Sequence, residues 1–553
     1  MTLLRGSSAA VLEFLPAAAR ARFVASHRRG SDDRRGWGEG SQHVGDVLRL
    51  IWLDPDDAEH VVGLAERRDL FSPVQGLDAR DGRVLLGSES CHGGILDRWV
   101  GMDALPALLA EMESWRAAFT LPSFRNAIVL MVGWVLTHGP HAVTEALVTT
   151  DVARRRHHER YHRFFSRGTW SPDVVGGLLF RRILAWVGDG PVHITVDDTL
   201  TPKKGAHVFG IGSHLDPVRS TKRFRVFSFG HVWVVMSVVV RLPFSHRPWA
   251  IPVLFRIYRN KTECERHADP YRKKTELGRE LVEIVARWAG QRRIHLAVDS
   301  AYCNATLMHE LPSTVVVFGA MRPDAVLTAL PGPSKPKPGR RRVRGRLLPK
   351  PEALAKNARV PWRTCRAELY GKRRTVRYKM VDAQWYRACG GRLVRIVVVR
   401  VDEGNLDVRV FLCTDVAAPV VSILETYAGR WAAEVAFRDL KQQLGFADSS
   451  ARKRAAVERT APFVGYVYTT LVLWFADGAW QSGVASPPIR PWYRHKRGAS
   501  FADIVRAAQR TLAPLDVLDP ARTIDNLRKS RRAAERTTTY RRNATDPGVR
   551  HVA

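Results

Sequence analysis

The stretch Tyr427-Ala-Gly-Arg430-Trp-Ala-Ala-Glu434-Val-Ala-Phe-Arg-Asp-Leu-Lys441 decides how the rest of this 553-residue chain is read. At about 3.6 residues per turn, a single helix through it would carry Tyr427, Arg430, Glu434 and Lys441 within an arc of about 60°. One face then holds an acid, two cations and a phenol, while Ala432, Val435 and Ala436 are left to pack a core. A solvated, salt-bridged helix face has the same spacing, so the stretch alone does not choose between chemistry and solubility.

Two upstream segments bear on that choice. His193-Ile-Thr-Val196 is rich in β-branched residues and runs into Asp197-Asp198-Thr199, and Ile294-His-Leu-Ala-Val298 runs into Asp299-Ser300-Ala301-Tyr302. Each reads as a buried strand that delivers a carboxylate at its C-terminal tip. Strand-ending turns and helix caps also favour aspartate, but three acidic pieces in this order are harder to explain that way. Adjacent strand residues face opposite sides, so only one of Asp197 and Asp198 can point at a shared site.

The pattern Tyr-x2-Arg-x3-Glu-x6-Lys, preceded by the two strand-end aspartates, resembles the signature of a group of bacterial insertion-sequence transposases in the DDE superfamily. The resemblance implies an α/β fold: a ribonuclease-H-like catalytic core, a β-rich insertion between the second Asp and the Glu, and a helical N-terminal DNA-binding region. It implies that Asp197, Asp299 and Glu434 are catalytic metal ligands, with Asp198 the alternate to Asp197. An Asp-x-Thr at the first position is common in the superfamily and favours Asp197. It also implies that Tyr427, Arg430 and Lys441 contact DNA phosphates near the cut. Three carboxylates offer hard oxygens suited to two Mg2+ or Mn2+ ions, with Asp197 bridging them. The expected activity is cleavage at terminal inverted repeats and joining of the freed 3′ hydroxyls to target DNA. The expected partners are the element's ends, the target, and a second copy of the chain in the DNA complex. The same fold in a nuclease that does not join strands, and a silent DNA-binding relic, remain alternatives.

Bulk composition agrees with a polyanion partner: 87 Lys and Arg stand against 54 Asp and Glu, a formal charge of +33. The six cysteines, Cys91, Cys264, Cys303, Cys365, Cys389 and Cys413, include no Cys-x2-Cys pair, which argues against a zinc ribbon or disulfide framework. A reducing, cytoplasmic and nucleoid-associated setting is expected. The apolar runs at Ile128–Leu136 and Phe463–Phe475 fall short of the roughly 18 residues needed to cross a bilayer, so no membrane span is expected.

Taken in order, residues 1–117 are left unassigned. Residues 118–190 turn helical and cationic, as expected of a DNA-binding region. Within them His158-Glu159-Arg160-Tyr161-His162 matches a zinc-protease pattern literally, but five surrounding arginines and the lack of a third-ligand motif favour a basic helix. Residues 191–320 and 415–480 are expected to form the core, in the order three strands, helix, strand, helix, strand. Residues 321–414, too many for an ordinary connection, are read as a basic loop and β-rich insertion. In related enzymes an aromatic of the insertion stacks a flipped base; Trp362 and Trp385 are candidates, although tryptophans more often serve the core. Residues 481–553 are read as a basic C-terminal region ending in a disordered tail.

Overall fold

The computed structural model describes residues 104–530, apart from 206, 217, 222, 333–341, 401–407, 447, 486–491, 493–495 and 497. The readings made for residues 1–103, for most of the basic loop after Pro331 and for the tail beyond 530 lie outside the described residues. Residues 520–530, the start of that tail, are helical.

A large mixed sheet forms the centre of an α/β fold. Its first strands are β1 (Val192–Pro202), β2 (Gly212–Leu215), β3 (Phe227–Arg241), β4 (Pro248–Tyr258), β5 (Ile294–Val298) and β6 (Val315–Ala320). β3 lies between β1 and β4, antiparallel to both, and β5 and β6 continue from β1 in parallel. The near-continuous valines of β3 follow from its place between two strands with both faces covered, where alternation gives way to an apolar run. β2 pairs only with the first residues of β3, Phe227 to Gly230, and so prolongs the sheet past β4.

The segment between the second aspartate and the glutamate adds β7 (Leu327–Thr328), β8 (Leu347–Leu348), β9 (Arg363–Leu369), β10 (Lys372–Gln384), β11 (Leu393–Arg400) and β12 (Val408–Cys413). These strands extend the central sheet, because β12 pairs with β6 through Phe411–Ala320 and Cys413–Phe318. Trp362 and Trp385 are both packed against the main hydrophobic core. Trp362 lies over the ammonium of Lys379, which is buried and donates to the carbonyls of Leu354, Ala355 and Asn357. Both rings therefore work as core and helix-end packing in this conformation.

Helices α1 (Leu121–Leu136), α2 (Val143–Thr149), α3 (Glu159–Ser166) and α4 (Pro172–Val187) precede the sheet. α3 buries Tyr161, Phe164 and Phe165 and turns Arg160 and Arg163 outward. The His-Glu-x-x-His match is at its start, where Glu159 is held by Arg163 at 2.6 Å rather than facing the two histidines. After β4 come α5 (Lys261–Arg266) and α6 (Lys274–Ala289), then α7 (Ala305–Met308), α8 (Pro351–Lys356) and α9 (Tyr386–Cys389). Later come α10 (Val420–Gly429), α11 (Trp431–Gln443), α12 (Arg454–Ala476) and α13 (Phe501–Leu512).

α12 is apolar on every side because it is enclosed between α3, α4 and β4. Gly465 lets it press onto β4, since a β-carbon there would overlap the Phe255 ring. Arg256 of β4 reaches Asp173 of α4 at 2.6 Å and Glu280 of α6 at 2.7 Å, tying two helices to one strand. No helix of the described residues is long and apolar enough to cross a membrane.

Candidate active site

The backbone brings the acidic groups together by register. β1 and β5 run in parallel with Thr195 opposite Ala297; two residues further along, β1 carries Asp197 and Asp299 directly follows the end of β5. Alternation puts Asp197, Thr195 and His193 on one face of β1, and Asp198 and Val196 on the other. The two faces meet different helices.

On the Asp198 face lies α6. A β-carbon on Gly278 would come within 2.9 Å of the Tyr302 ring and 3.2 Å of Val196, a measure of how closely the helix approaches. Asp198 accepts from Lys274 Nζ at 2.7 Å and from Tyr302 Oη at 3.2 Å, so its charge is met within this face. Burial and the nearby carboxylates hold the Tyr302 phenol protonated, well above its ordinary range.

On the Asp197 face lie α10 and α11. The stretch from Tyr427 to Lys441 is not one helix, which corrects the reading made from spacing. α10 ends at Gly429, and Arg430 joins it to α11 through i→i−3 bonds, Arg430 N to the Tyr427 carbonyl and Ala433 N to the Arg430 carbonyl. The ladder is interrupted at this single residue, whose own dihedrals stay helical, so the helical spacing is broken by one tightened turn. The break carries Arg430 inward. Its Nη1 donates to Asp197 Oδ2 at 2.6 Å and its Nη2 to Glu434 Oε1 at 3.1 Å, with all three side chains buried.

These charges are removed from water, and the consequences differ by group. Burial raises the Asp197 carboxyl to about 7, against the opposing pull of Arg430 and with further help from Asp299 and Asp198. Burial also pushes Glu434 well above the usual carboxylate range and raises Asp299, again with Arg430 acting in the other direction. Asp299 Oδ1 accepts from the backbone N–H of Ala301 and Tyr302, which fixes its carboxyl at the end of β5. Burial opposes the charge on Arg430, but the surrounding Asp197, Glu434 and Asp299 carboxylates outweigh it and hold the guanidinium charged.

Tyr427 is half-buried, stacked at a tilt on Phe411 with ring centroids 4.7 Å apart, and burial raises its phenol to about 12. Lys441 lies beside the site, where its Nζ donates to the Leu200 carbonyl of β1 at 2.8 Å. Burial lowers that ammonium to about 8, partly countered by Asp216.

Whether a divalent metal fits can be tested on the donor set. Asp197, Asp299 and Glu434 offer only carboxylate oxygens, the hard ligands that suit Mg2+ or Mn2+. Glu434 Oε2 is buried with no hydrogen-bond partner, an acceptor left open within the site. Among the described residues no three His, Cys, Asp or Glu side chains converge closely enough to hold an ion. The Arg430 guanidinium lies between Asp197 and Glu434 and supplies the positive charge there. The ligand chemistry fits, and the cation position is held by the protein's own arginine.

Lys274 and Tyr302 are the site residues that sequence reasoning missed. Tyr302 follows Asp299 by three residues and was legible as a neighbour, but nothing local marks Lys274, which α6 brings to Asp198 from 76 residues away.

No curated protein matches the chain. Among solved structures, the cryo-EM structure of a piggyBac transposase synaptic complex with hairpin DNA aligns with 79% of this chain and 84% of that one, at 10% identity and a TM-score of 0.35. Residues 117–388, which include Asp197, Asp198 and Asp299 and stop short of Glu434, match the family model described as DDE superfamily endonuclease, and that match supports an endonuclease.

Proposed function

We propose that the chain is a DNA transposase that cuts at the terminal inverted repeats of its element and joins the 3′ ends to target DNA. The observation that carries this reading is the buried junction of Arg430 with Asp197 and Glu434, next to Asp299, on a chain with a charge of +33. The strand order β4-β3-β1-β5-β6, antiparallel then parallel from β1 onward, supports a ribonuclease-H-like core.

In this reading Asp197, Asp299 and Glu434 hold the divalent ions, Mg2+ or Mn2+, and Asp198 is the alternate for the first position. Two such ions, when bound, supply Lewis-acid activation of the attacking oxygen and charge neutralisation at the scissile phosphate. The side chains do the rest. Arg430 gives up its two carboxylate contacts and turns its fork to a phosphate beside the cut, where a bidentate grip fixes the strand's register. Tyr427 donates a hydrogen bond to the same backbone, its raised pKa keeping the phenol protonated. Lys441 holds α11 against β1 and adds positive charge near the DNA. Asp198, tied to Lys274 and Tyr302, keeps the tip of β1 in place. Water attacks first, and the 3′ hydroxyl so released then attacks the target in the same site, within a dimer of the chain on DNA.

The test uses a duplex carrying the repeats that flank the coding region. Nicking should require Mg2+ or Mn2+, and Glu434→Ala or Asp299→Ala should abolish it while leaving DNA affinity within about twofold. Joining of a pre-cut end then separates a transposase from a nuclease of the same fold. One observation favours a second reading, a DNA-binding protein without catalysis: the absence among the described residues of three convergent metal donors. Retention of duplex binding with no nicking at any metal concentration would support it.

A further inference from the structure

The ribbon formed by β2 and the start of β3 has an apolar face without an evident structural purpose. Phe227 and Phe229 on β3 are 61% and 48% exposed, Leu215 opposite Phe227 is 47% exposed, and Phe224 in the connecting loop is 69% exposed. This is not a loosely held loop. Asp216 Oδ1 accepts from the N–H of Val218 and Arg219, its Oδ2 accepts from Ser228 Oγ, and Ser220 and Val226 exchange two further hydrogen bonds. The rings are presented on a turn held by these hydrogen bonds from Asp216, Ser220 and Ser228.

Two features say what covers them. Arg219, Arg223 and Arg225 are exposed among the phenylalanines, and none of them forms an ion pair among the described residues. The only acid between residues 212 and 230 is Asp216, which is buried and turned inward. Cations interleaved with aromatic faces suit a polyanion with flat rings, whereas a second copy would bring like charges into contact. The second feature is register. Asp197 is opposite Val235 on β3, and alternation from Val235 puts Phe229 and Phe227 on that same face of the sheet, about 20 and about 26 Å along the strand.

We infer that this ribbon is a stacking platform for unpaired DNA bases beside the cut, with the arginines holding the backbone that carries them. The inference rests on the nuclease reading only for the source of the unpaired strand, not for the binding itself. Exposed aromatics accept bases of any sequence, so the platform would grip strand ends opened near the carboxylates without reading them.

The experiment measures binding of a ~16-nucleotide oligothymidylate and of a blunt duplex to the full chain in chelator, where no cleavage occurs. Replacing Phe224, Phe227 and Phe229 together by Ala should weaken single-strand affinity by about tenfold or more and change duplex affinity by less than about twofold. Replacing the same three by Leu keeps the apolar area and removes the π face, and should weaken it similarly. Photo-crosslinks from 5-iodouracil should map to residues 224–229 in the native chain. Because binding is read in chelator, where no cleavage occurs, failure of the nuclease reading leaves this result intact. Native-like single-strand affinity in the Ala variant would overturn the inference. So would an Ala variant that changes only the mass seen by light scattering, with Leu restoring it, because the face would then join two copies.

Discussion

Arg430 occupies the place where two buried carboxylates need a positive charge, and it is the residue that makes the site stable as folded. Removing one partner of a buried ion pair leaves an uncompensated charge and costs about 3–5 kcal/mol. Arg430→Ala should therefore lower the melting temperature markedly in chelator. Mg2+ or Mn2+ should then raise it more in the variant than in the native chain, because the ion no longer competes with a guanidinium for Asp197 and Glu434. Equal metal-induced shifts in the two proteins would show that Arg430 is not the stand-in cation. Asp197 adds a pH dependence. Its folded pKa, about 7, lies above the unfolded value near 4, so the folded state binds the extra proton in that window and loses stability as pH rises through it. Asp197→Asn does not titrate. The difference in melting temperature should thus move in favour of the variant between about pH 4 and 7 and level off above.

At the scale of elements, close approaches set the positions of the helices that carry the site. A β-carbon on Gly465 would overlap the Phe255 ring, so Gly465→Ala should force either the buried ring or α12 to move. Overpacking of this kind costs about 1–3 kcal/mol, which equilibrium unfolding of the purified variant can measure. A cost below about 0.5 kcal/mol would mean that the ring simply turns aside. The strongly patterned elements were legible in the sequence. The valine run of β3 and the spaced apolar residues of α6, such as Leu277, Leu281 and Val285, carry their own secondary structure in their patterns. Less legible were β9, whose Arg363, Arg366 and Glu368 mask its strand character, and β2, four residues long. The break at Arg430 could not be read from helical spacing, because Tyr427 to Lys441 contains no proline and the turn is tightened by where Arg430 finds its partners. Likewise, the separation of Asp197 from Asp198 follows from alternation in general, but which helix each one meets is a property of the packed sheet.

For the whole molecule, the candidate site is a small acidic interior within a strongly cationic shell. The outward arginines of α3 and those of the β2–β3 ribbon lie on different elements, so a duplex can be held at several phosphates at once. Each neutralised phosphate releases counterions, and affinity then falls steeply with salt. If about 6–10 phosphates are contacted, affinity for duplex should drop by about 10³–10⁵ between 50 and 200 mM salt, measured by fluorescence anisotropy in chelator. The carboxylates oppose this attraction. Glu434→Ala should therefore bind at least as tightly as the native chain and show the same salt slope, since it removes an acid and no phosphate contact. A drop of less than about tenfold over the same range would mean that only a few phosphates are engaged, too few for the proposed transposase, which has to hold two strands in place.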